Sequence, residues 1–508
     1  MKYYLMPLGC QMNRSDAERL RTVLNSMGLQ ETDNEHAPEI VLMGIISCSV
    51  RQKAIDRVYG KIRNWNKLKK TRPLLTFVTG CILDSDREKF LKLFDFVFPV
   101  TEAADFPEML LSSGIVMPFR FENVSGDTEE NNERKSLKTE NKTGELKKIT
   151  FPPQTLPPQK NKPENVKEFW KISPSYSSGS EAFVPIQNGC DKFCTYCAVP
   201  YTRGREVSRD SDDILKEVRI LAEDGYRSIT LLGQNVNSYG LDRNGNEITF
   251  PQLMRRIGEY GEKSGLDFRV YFTSPHPKDM SRELLEVIAD YKVLAKWIHL
   301  PLQSGDDNVL ERMNRRHTME RYRELMGLIR NILPEAPVFT DIIVGFTGET
   351  EEEFMHTADA MREFKYDMAF IAKYSPRPGA KSSNWPDDVP KEEKERRYRY
   401  LSSVLTETAA LLNRARIGTV RRVLVTGKDR KGVYLSGYTE GRIPVRIEMP
   451  FQYTSNLSGS FADLLVTGAS SLSLHGKLVS KKNQQNKDIS NGISAYSAEN
   501  TIKAEIFE

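Results

Sequence analysis

Cysteine is scarce in this chain. There are six in 508 residues, Cys10, Cys48, Cys81, Cys190, Cys194 and Cys197, far too few for a secreted disulfide scaffold of this size, so a reducing compartment is expected. Long hydrophobic runs are missing as well. The longest, IVLMGIISC, is about half of the ~20 residues a membrane-spanning helix needs. Gly9 to Asn13 interrupt the apolar opening before it reaches the length of a signal-peptide core, and a soluble, cytoplasmic chain without membrane association is expected. Charge of one sign is in short supply too, with 73 Lys and Arg against 69 Asp and Glu. Any affinity for nucleic acid must therefore come from local patches. No HExxH pair, Walker A loop or GxGxxG fingerprint occurs, which leaves zinc-protease, P-loop and dinucleotide readings without support.

Five stretches follow from pattern and composition. Residues 1–120 alternate apolar strand-like runs with amphipathic segments, the rhythm of a parallel α/β domain. Cys10, Cys48 and Cys81 fall after its first, second and third strands, at the carboxyl ends where such sheets gather ligands. Residues 121–175, rich in Glu, Lys, Asn and Pro, read as a disordered linker. Residues 176–405 give six βα units, a partial barrel with its active-site rim at the strand carboxyl ends. That rim receives Gln234, Asn235, Ser274, His276, Gln303, Ser304, Gly345, Gly348, Tyr374, Ser375 and Arg377. His299, inside a strand, reads as a core histidine. Residues 406–480 change to short alternating strands, a small five-stranded barrel of a kind that binds nucleic acid, with Arg421, Arg422, Lys428, Arg430, Lys431, Arg442 and Arg446 as candidate backbone contacts. Residues 481–508 read as a disordered tail.

What the chain does have is a C-x3-C-x2-C triplet at Cys190, Cys194 and Cys197. Three thiolates in one loop can hold three irons of a [4Fe-4S] cube and leave the fourth without a protein ligand. A structural zinc site would ask for a closed set of four, which is not supplied locally. The second triplet, Cys10, Cys48 and Cys81, is also one ligand short.

GCQMN around Cys10, CSVRQKA from Cys48, NGCDKFCTYCAVPYTRGREVSR, LLGQNVNSYG, TSPHP, HLPLQSG, DIIVGF and YSPRPGA together resemble the methylthiotransferase family of radical-SAM enzymes. The resemblance runs from residue 1 to about 478, apart from the linker. It implies a flavodoxin-like N-terminal domain, a partial (β/α)6 radical-SAM core and a TRAM-like RNA-binding barrel. Three departures occur. Ile46-Ser47-Cys48 stands where the family usually has NTC, Asn188-Gly189-Cys190 where it has EGC, and Thr347 where it has proline. None removes a cysteine.

The resemblance implies two [4Fe-4S] clusters, one on Cys190, Cys194 and Cys197 that binds S-adenosylmethionine, the other an auxiliary cluster on Cys10, Cys48 and Cys81 that carries sulfur. Tyr196, Gln234, Asn235, Ser274, Gln303 and Arg377 are the expected cofactor-binding residues. The implied substrate is the isopentenyl-modified adenosine beside the anticodon in the tRNA anticodon loop. An external electron donor and sulfur source, and a monomeric state, complete the expectation. Threonylcarbamoyladenosine of tRNA or an aspartate of a ribosomal protein remain alternatives within the same chemistry. A non-catalytic iron-sulfur or zinc RNA-binding protein is the alternative outside it.

Overall fold

A computed structural model describes residues 1–50, 52–112, 163–429, 431–448 and 457–479. The first sheet is wholly parallel, in the order Gln30–Glu31, Lys2–Pro7, Ile40–Cys48, Leu75–Cys81, Phe96–Val97. This 2-1-3-4-5 order is that of the flavodoxin-like doubly wound fold, whose ligand crevice lies at the switch point between its first and third strands. The central strand Ile40–Cys48 is buried along almost its whole length. That is why it reads as a continuous apolar run, as strands covered by helices on both faces do.

The expected linker is shorter than 121–175. Pro163–Lys171 is an α-helix, and Val166, Phe169 and Trp170, spaced three and four apart, pack into the core of the N-terminal sheet. That spacing puts all three on one face, and burying it offsets a composition otherwise typical of disorder. The rest of that stretch through residue 162, and the tail from 481, lie outside the described residues.

The six expected βα strands are present as Glu181–Pro185, Ser228–Leu232, Arg269–Phe272, Ile298–His299, Val338–Val344 and Met368–Lys373. They form two parallel sheets of three, and Val270 of the first also makes an isolated parallel bridge to Leu294, which lies before the strand Ile298–His299. One large apolar core lies between these strands and their helices. The helix starts are written locally. Thr249 with Gln252 and Thr350 with Glu353 form capping boxes, and Asp210 and Asp306 cap with their carboxylates. The boundary placed at 405 falls inside a helix, Lys391–Arg414.

The five-stranded C-terminal barrel is closed, in the order Val420–Lys428, Tyr434–Thr439, Pro444–Glu448, Leu474–Leu478, Phe461–Ala469. Its cations divide into two sets. Arg442 stacks between Tyr271 and Tyr438, 3.8 and 4.3 Å from their ring centroids. It also donates to Ser228 and Thr230 at 3.0 and 3.1 Å. Arg422 pairs with Asp267, and Arg421 with Glu335 at 3.4 Å. Arg442 thus fastens the barrel to the six-stranded domain, and Arg421 and Arg422, though solvent-accessible, form ion pairs across to it. Lys428, Lys431 and Arg446 are exposed, and Arg430 lies outside the described residues. Among the described residues no helix is long and apolar enough to cross a membrane.

Candidate active site

The triplet loop leaves the strand Glu181–Pro185 and is pinned at several points. Cys190 N–H donates to Gly204 O at 3.2 Å, Thr195 N–H to Met313 O at 3.0 Å, and Cys197 N–H to Cys194 O at 3.0 Å. The Asn314 amide donates to the carbonyls of Lys192 and Phe193 at 3.2 and 2.9 Å. Gly189 has φ +80, and a Cβ there would lie 2.0 Å from Arg205 O, so only glycine lets the loop close on itself.

Cys190, Cys194 and Cys197 open onto a cavity of about 600 Å³. Tyr196, Gln234, Asn235, Ser274 and Gln303, five of the six residues expected to bind cofactor, line it too. Ser274 and Gln303 have left-handed backbones, φ 62 and 75, a conformation non-glycine residues rarely hold away from functional sites. The sixth residue, Arg377, does not line this cavity. Its Nη1 donates to Gln52 Oε1 at 2.7 Å, and Cys48, Asp56 and Asp86 act on its charge. It belongs to the seam with the N-terminal domain because YSPRPGA runs on past the rim.

Sequence reasoning missed two residues here and placed a third at the rim without a role. Arg315 is buried and reaches Cys194 Sγ at 3.5 Å, Tyr196 Oη at 3.4 Å and Pro301 O at 3.0 Å. Asp341 also lines the cavity. His276 accepts the Lys278 N–H on Nδ1 at 3.1 Å, which leaves the ring proton on Nε2. Burial keeps this imidazole neutral, with Arg315 next in effect. The only local signal for Arg315 was the basic run NRRH, which reads as solvated surface.

Several of these polar groups lack partners. Gln234 Oε1, Asn235 Oδ1 and His276 Nε2 are buried without a hydrogen bond. Orphaned donors and acceptors around one hollow are expensive unless a ligand meets them. Burial pushes the Cys190 and Cys197 thiols up to about 12, so cationic metal is needed to hold them as thiolates at neutral pH. Among the described residues no three His, Cys, Asp or Glu side chains converge as ligands of one metal ion. A cubane makes no such demand, because each thiolate takes a different iron. The donor set fits.

The second triplet gathers at the carboxyl edge of the first sheet. Cys10 immediately precedes the helix Gln11–Ser26, and Cys48 and Cys81 are the last residues of adjacent strands, paired in register. Asn13 holds the group together. Its amide donates to Leu8 O and Ser47 O at 2.6 and 2.8 Å, and its Oδ1 lies 3.9 and 3.7 Å from the sulfurs of Cys10 and Cys81. Arg203, six residues after the last cysteine of the first triplet, crosses into this site. It donates from Nε to Cys81 Sγ at 3.1 Å, from Nη2 to Asn13 Oδ1 at 3.1 Å and to Asp16 Oδ2 at 2.5 Å, and from Nη1 to Asn188 Oδ1 at 3.1 Å.

Residues 184–361 match the Radical SAM superfamily, and residues 2–100 match the Uncharacterized protein family UPF0004. A tRNA-2-methylthio-N(6)-dimethylallyladenosine synthase of Histophilus somni is 34% identical over 94% of this chain and 92% of its own length. Proteins of the same name from Treponema pallidum subsp. pallidum and Francisella tularensis subsp. novicida are 34% and 35% identical, over 95% and 94% of this chain and 100% and 99% of their own. With both domains and nearly the full length matched, the chain belongs to the methylthiotransferase family of radical-SAM enzymes.

Proposed function

We propose that this chain replaces the C2 hydrogen of N6-isopentenyladenosine, next to the tRNA anticodon, with a methylthio group. The observation that carries the reading is the pairing of two three-cysteine sites, one per domain, joined by Arg203. Relatives matched over at least 92% of their length bear a name stating this activity.

Cys190, Cys194 and Cys197 would hold the [4Fe-4S] cluster of the radical-SAM domain. Cys10, Cys48 and Cys81 would hold an auxiliary one. When bound, the first would pass an electron from an external donor to cleave S-adenosylmethionine to a radical able to abstract an unactivated hydrogen, and the second would supply the sulfur, with the methyl coming from a second S-adenosylmethionine. The chain's own part is binding and orientation. Gln234 Oε1 and Asn235 Oδ1 offer acceptors to the donors of S-adenosylmethionine, and His276 Nε2–H offers a donor. Arg315 sets positive charge beside Cys194 and Tyr196. Arg203 donates to the Cys81 sulfur and so stabilises its thiolate form. An anticodon-loop base is single-stranded and can be splayed into such a hollow.

The test is anaerobic incubation of reconstituted protein with S-adenosylmethionine, reductant and isopentenyl-modified tRNA, followed by mass spectrometry of the nucleosides. A methylthio mass gain with 5′-deoxyadenosine is expected, in protein holding about eight irons per chain. In Cys10→Ala the 5′-deoxyadenosine should persist and the mass gain should disappear. Transfer by Cys10→Ala would overturn the division between the sites.

A further inference from the structure

The helix Gln52–Leu68 follows directly on the Cys48 edge and has two unlike faces. Ala54, Ile55, Val58, Ile62 and Trp65 are buried in the N-terminal core. Opposite them, Lys53, Arg57, Gly60, Arg63, Asn64 and Lys67 recur at helical spacing, with Arg63 and Asn64 adjacent, and are all exposed. At 3.6 residues per turn these six positions share about one third of the circumference. Lys61 and Lys69, off this stripe, pair with Glu35 and Asp95. Among the described residues none of the four stripe cations forms an ion pair; the one acid of the helix, Asp56, is exposed at the start of the same face and accepts from Gln52 Nε2 at 2.8 Å.

Gly60 is the second observation. It lies mid-helix, where glycine costs stability relative to alanine, and a Cβ there would meet nothing within 4 Å. No packing demand of the fold accounts for it. Around it Arg63, Asn64, Asn66, Lys67 and Lys70 form a shallow, solvent-open surface. A glycine flanked by unpaired cations permits close approach of a backbone rich in negative charge.

The stripe also has a direction. Its start lies at the domain seam, where Gln52 accepts from Arg377 in the segment that runs on past the active-site rim, and from Lys53 to Lys67 it extends about 20 Å at 1.5 Å per residue. A nucleic acid whose loop delivers a base to the cavity must continue outward from that rim. We infer that this face of the helix is a docking track for the sugar-phosphate backbone of the RNA substrate, separate from the C-terminal barrel. The inference rests on the reading of tRNA as substrate.

The test measures tRNA binding by the cluster-loaded full chain as a function of salt, for the wild type, Arg63→Gln/Lys67→Gln and Gly60→Leu. Each phosphate contact removed should lower the slope of log K against log salt by about 0.7 to 0.9. The double variant should lose at least 10-fold in affinity at low salt and show a shallower slope. Gly60→Leu should raise the melting temperature, as a better helix former, yet weaken RNA binding. Iron content and 5′-deoxyadenosine formation without tRNA should match the wild type in both. Unchanged affinity and slope would overturn the track. So would a loss confined to reduction by an acidic electron-transfer protein, which would assign the face to that partner. Wild-type turnover on tRNA, measured alongside, reports separately on the substrate reading.

Discussion

Arg203 and Cys81 stand 122 positions apart in sequence, yet the guanidinium Nε–H of one donates to the sulfur of the other at 3.1 Å. Arg203 is buried and forms its charged pair with Asp16, so each domain contributes half of one buried ion pair. Removing one partner of such a pair strands the other charge, whereas removing both with apolar residues is often nearly neutral.

Arg203→Met should therefore destabilise the protein by about 3–5 kcal/mol, and Arg203→Met/Asp16→Leu should recover most of that. Urea midpoints of the three proteins check this. Equal losses in the single and double variants would show that the contacts to Asn13, Asn188 and Cys81, and not the charge pair, hold the seam.

Arg442 and Arg446 sit four residues apart on the barrel and should behave in opposite ways. Arg442 is clamped between two aromatic rings and two hydroxyls, and Lys cannot reproduce a stacked planar guanidinium. Arg442→Lys should lower the melting temperature and raise hydrogen exchange along Val420–Lys428 and Tyr434–Thr439. Arg446→Ala, at an exposed position, should change stability by no more than about 0.5 kcal/mol while weakening tRNA binding. A stable Arg442→Lys would return that residue to the RNA-facing set.

The contrast shows where sequence reading stops. The main strand runs, the six βα units and the two cysteine triplets were legible because each leaves a local mark: an apolar run, a period, a spacing. The exposed strand Gln30–Glu31 leaves none, so Cys48 and Cys81 end the third and fourth strands in chain order and not the second and third. Arg442 and Arg446 carry the same local mark, and only the placement of Tyr271, some 170 positions earlier, tells them apart. Arg315 was hidden for the same reason, since burying a charge beside Cys194 depends on a loop more than a hundred residues away. The helix Pro163–Lys171 was misread because its three apolar residues are few against a polar background, and the surface that makes them count belongs to another part of the chain.

Glu206 gives a pH prediction. Burial raises its carboxyl from 4.5 to about 7, against the opposing hydrogen bond from Ser238 at 2.5 Å. The folded protein therefore holds this proton more tightly than the unfolded chain. Its contribution is full below about 4.5 and is lost as pH rises toward and through 7. The loss is on the order of 3 kcal/mol at about 1.4 kcal/mol per unit. Glu206→Gln, which keeps a hydrogen-bonding oxygen, should match the wild type near pH 5 and exceed it in melting temperature at pH 8. An identical pH profile in the two proteins would show that Glu206 stays ionised in the fold, held by Lys192.

Two glycines test the independence of the cysteine sites. A Cβ at Gly189 would strike the backbone carbonyl of Arg205 at 2.0 Å, and one at Gly9, φ +105, would lie 2.6 Å from Cys48 Cβ. Both positions combine a left-handed backbone with a neighbour that cannot swing aside, so alanine must displace the adjoining cysteine. Gly189→Ala should leave about four irons per chain, on Cys10, Cys48 and Cys81, and abolish 5′-deoxyadenosine formation. Gly9→Ala should also leave about four, on Cys190, Cys194 and Cys197, with 5′-deoxyadenosine formation retained and methylthio transfer lost. Iron analysis and electron paramagnetic resonance of the reduced proteins separate these outcomes. If either substitution emptied both sites, the two clusters would have to assemble as one cooperative unit through the Arg203 seam, and the reciprocal pattern would not appear.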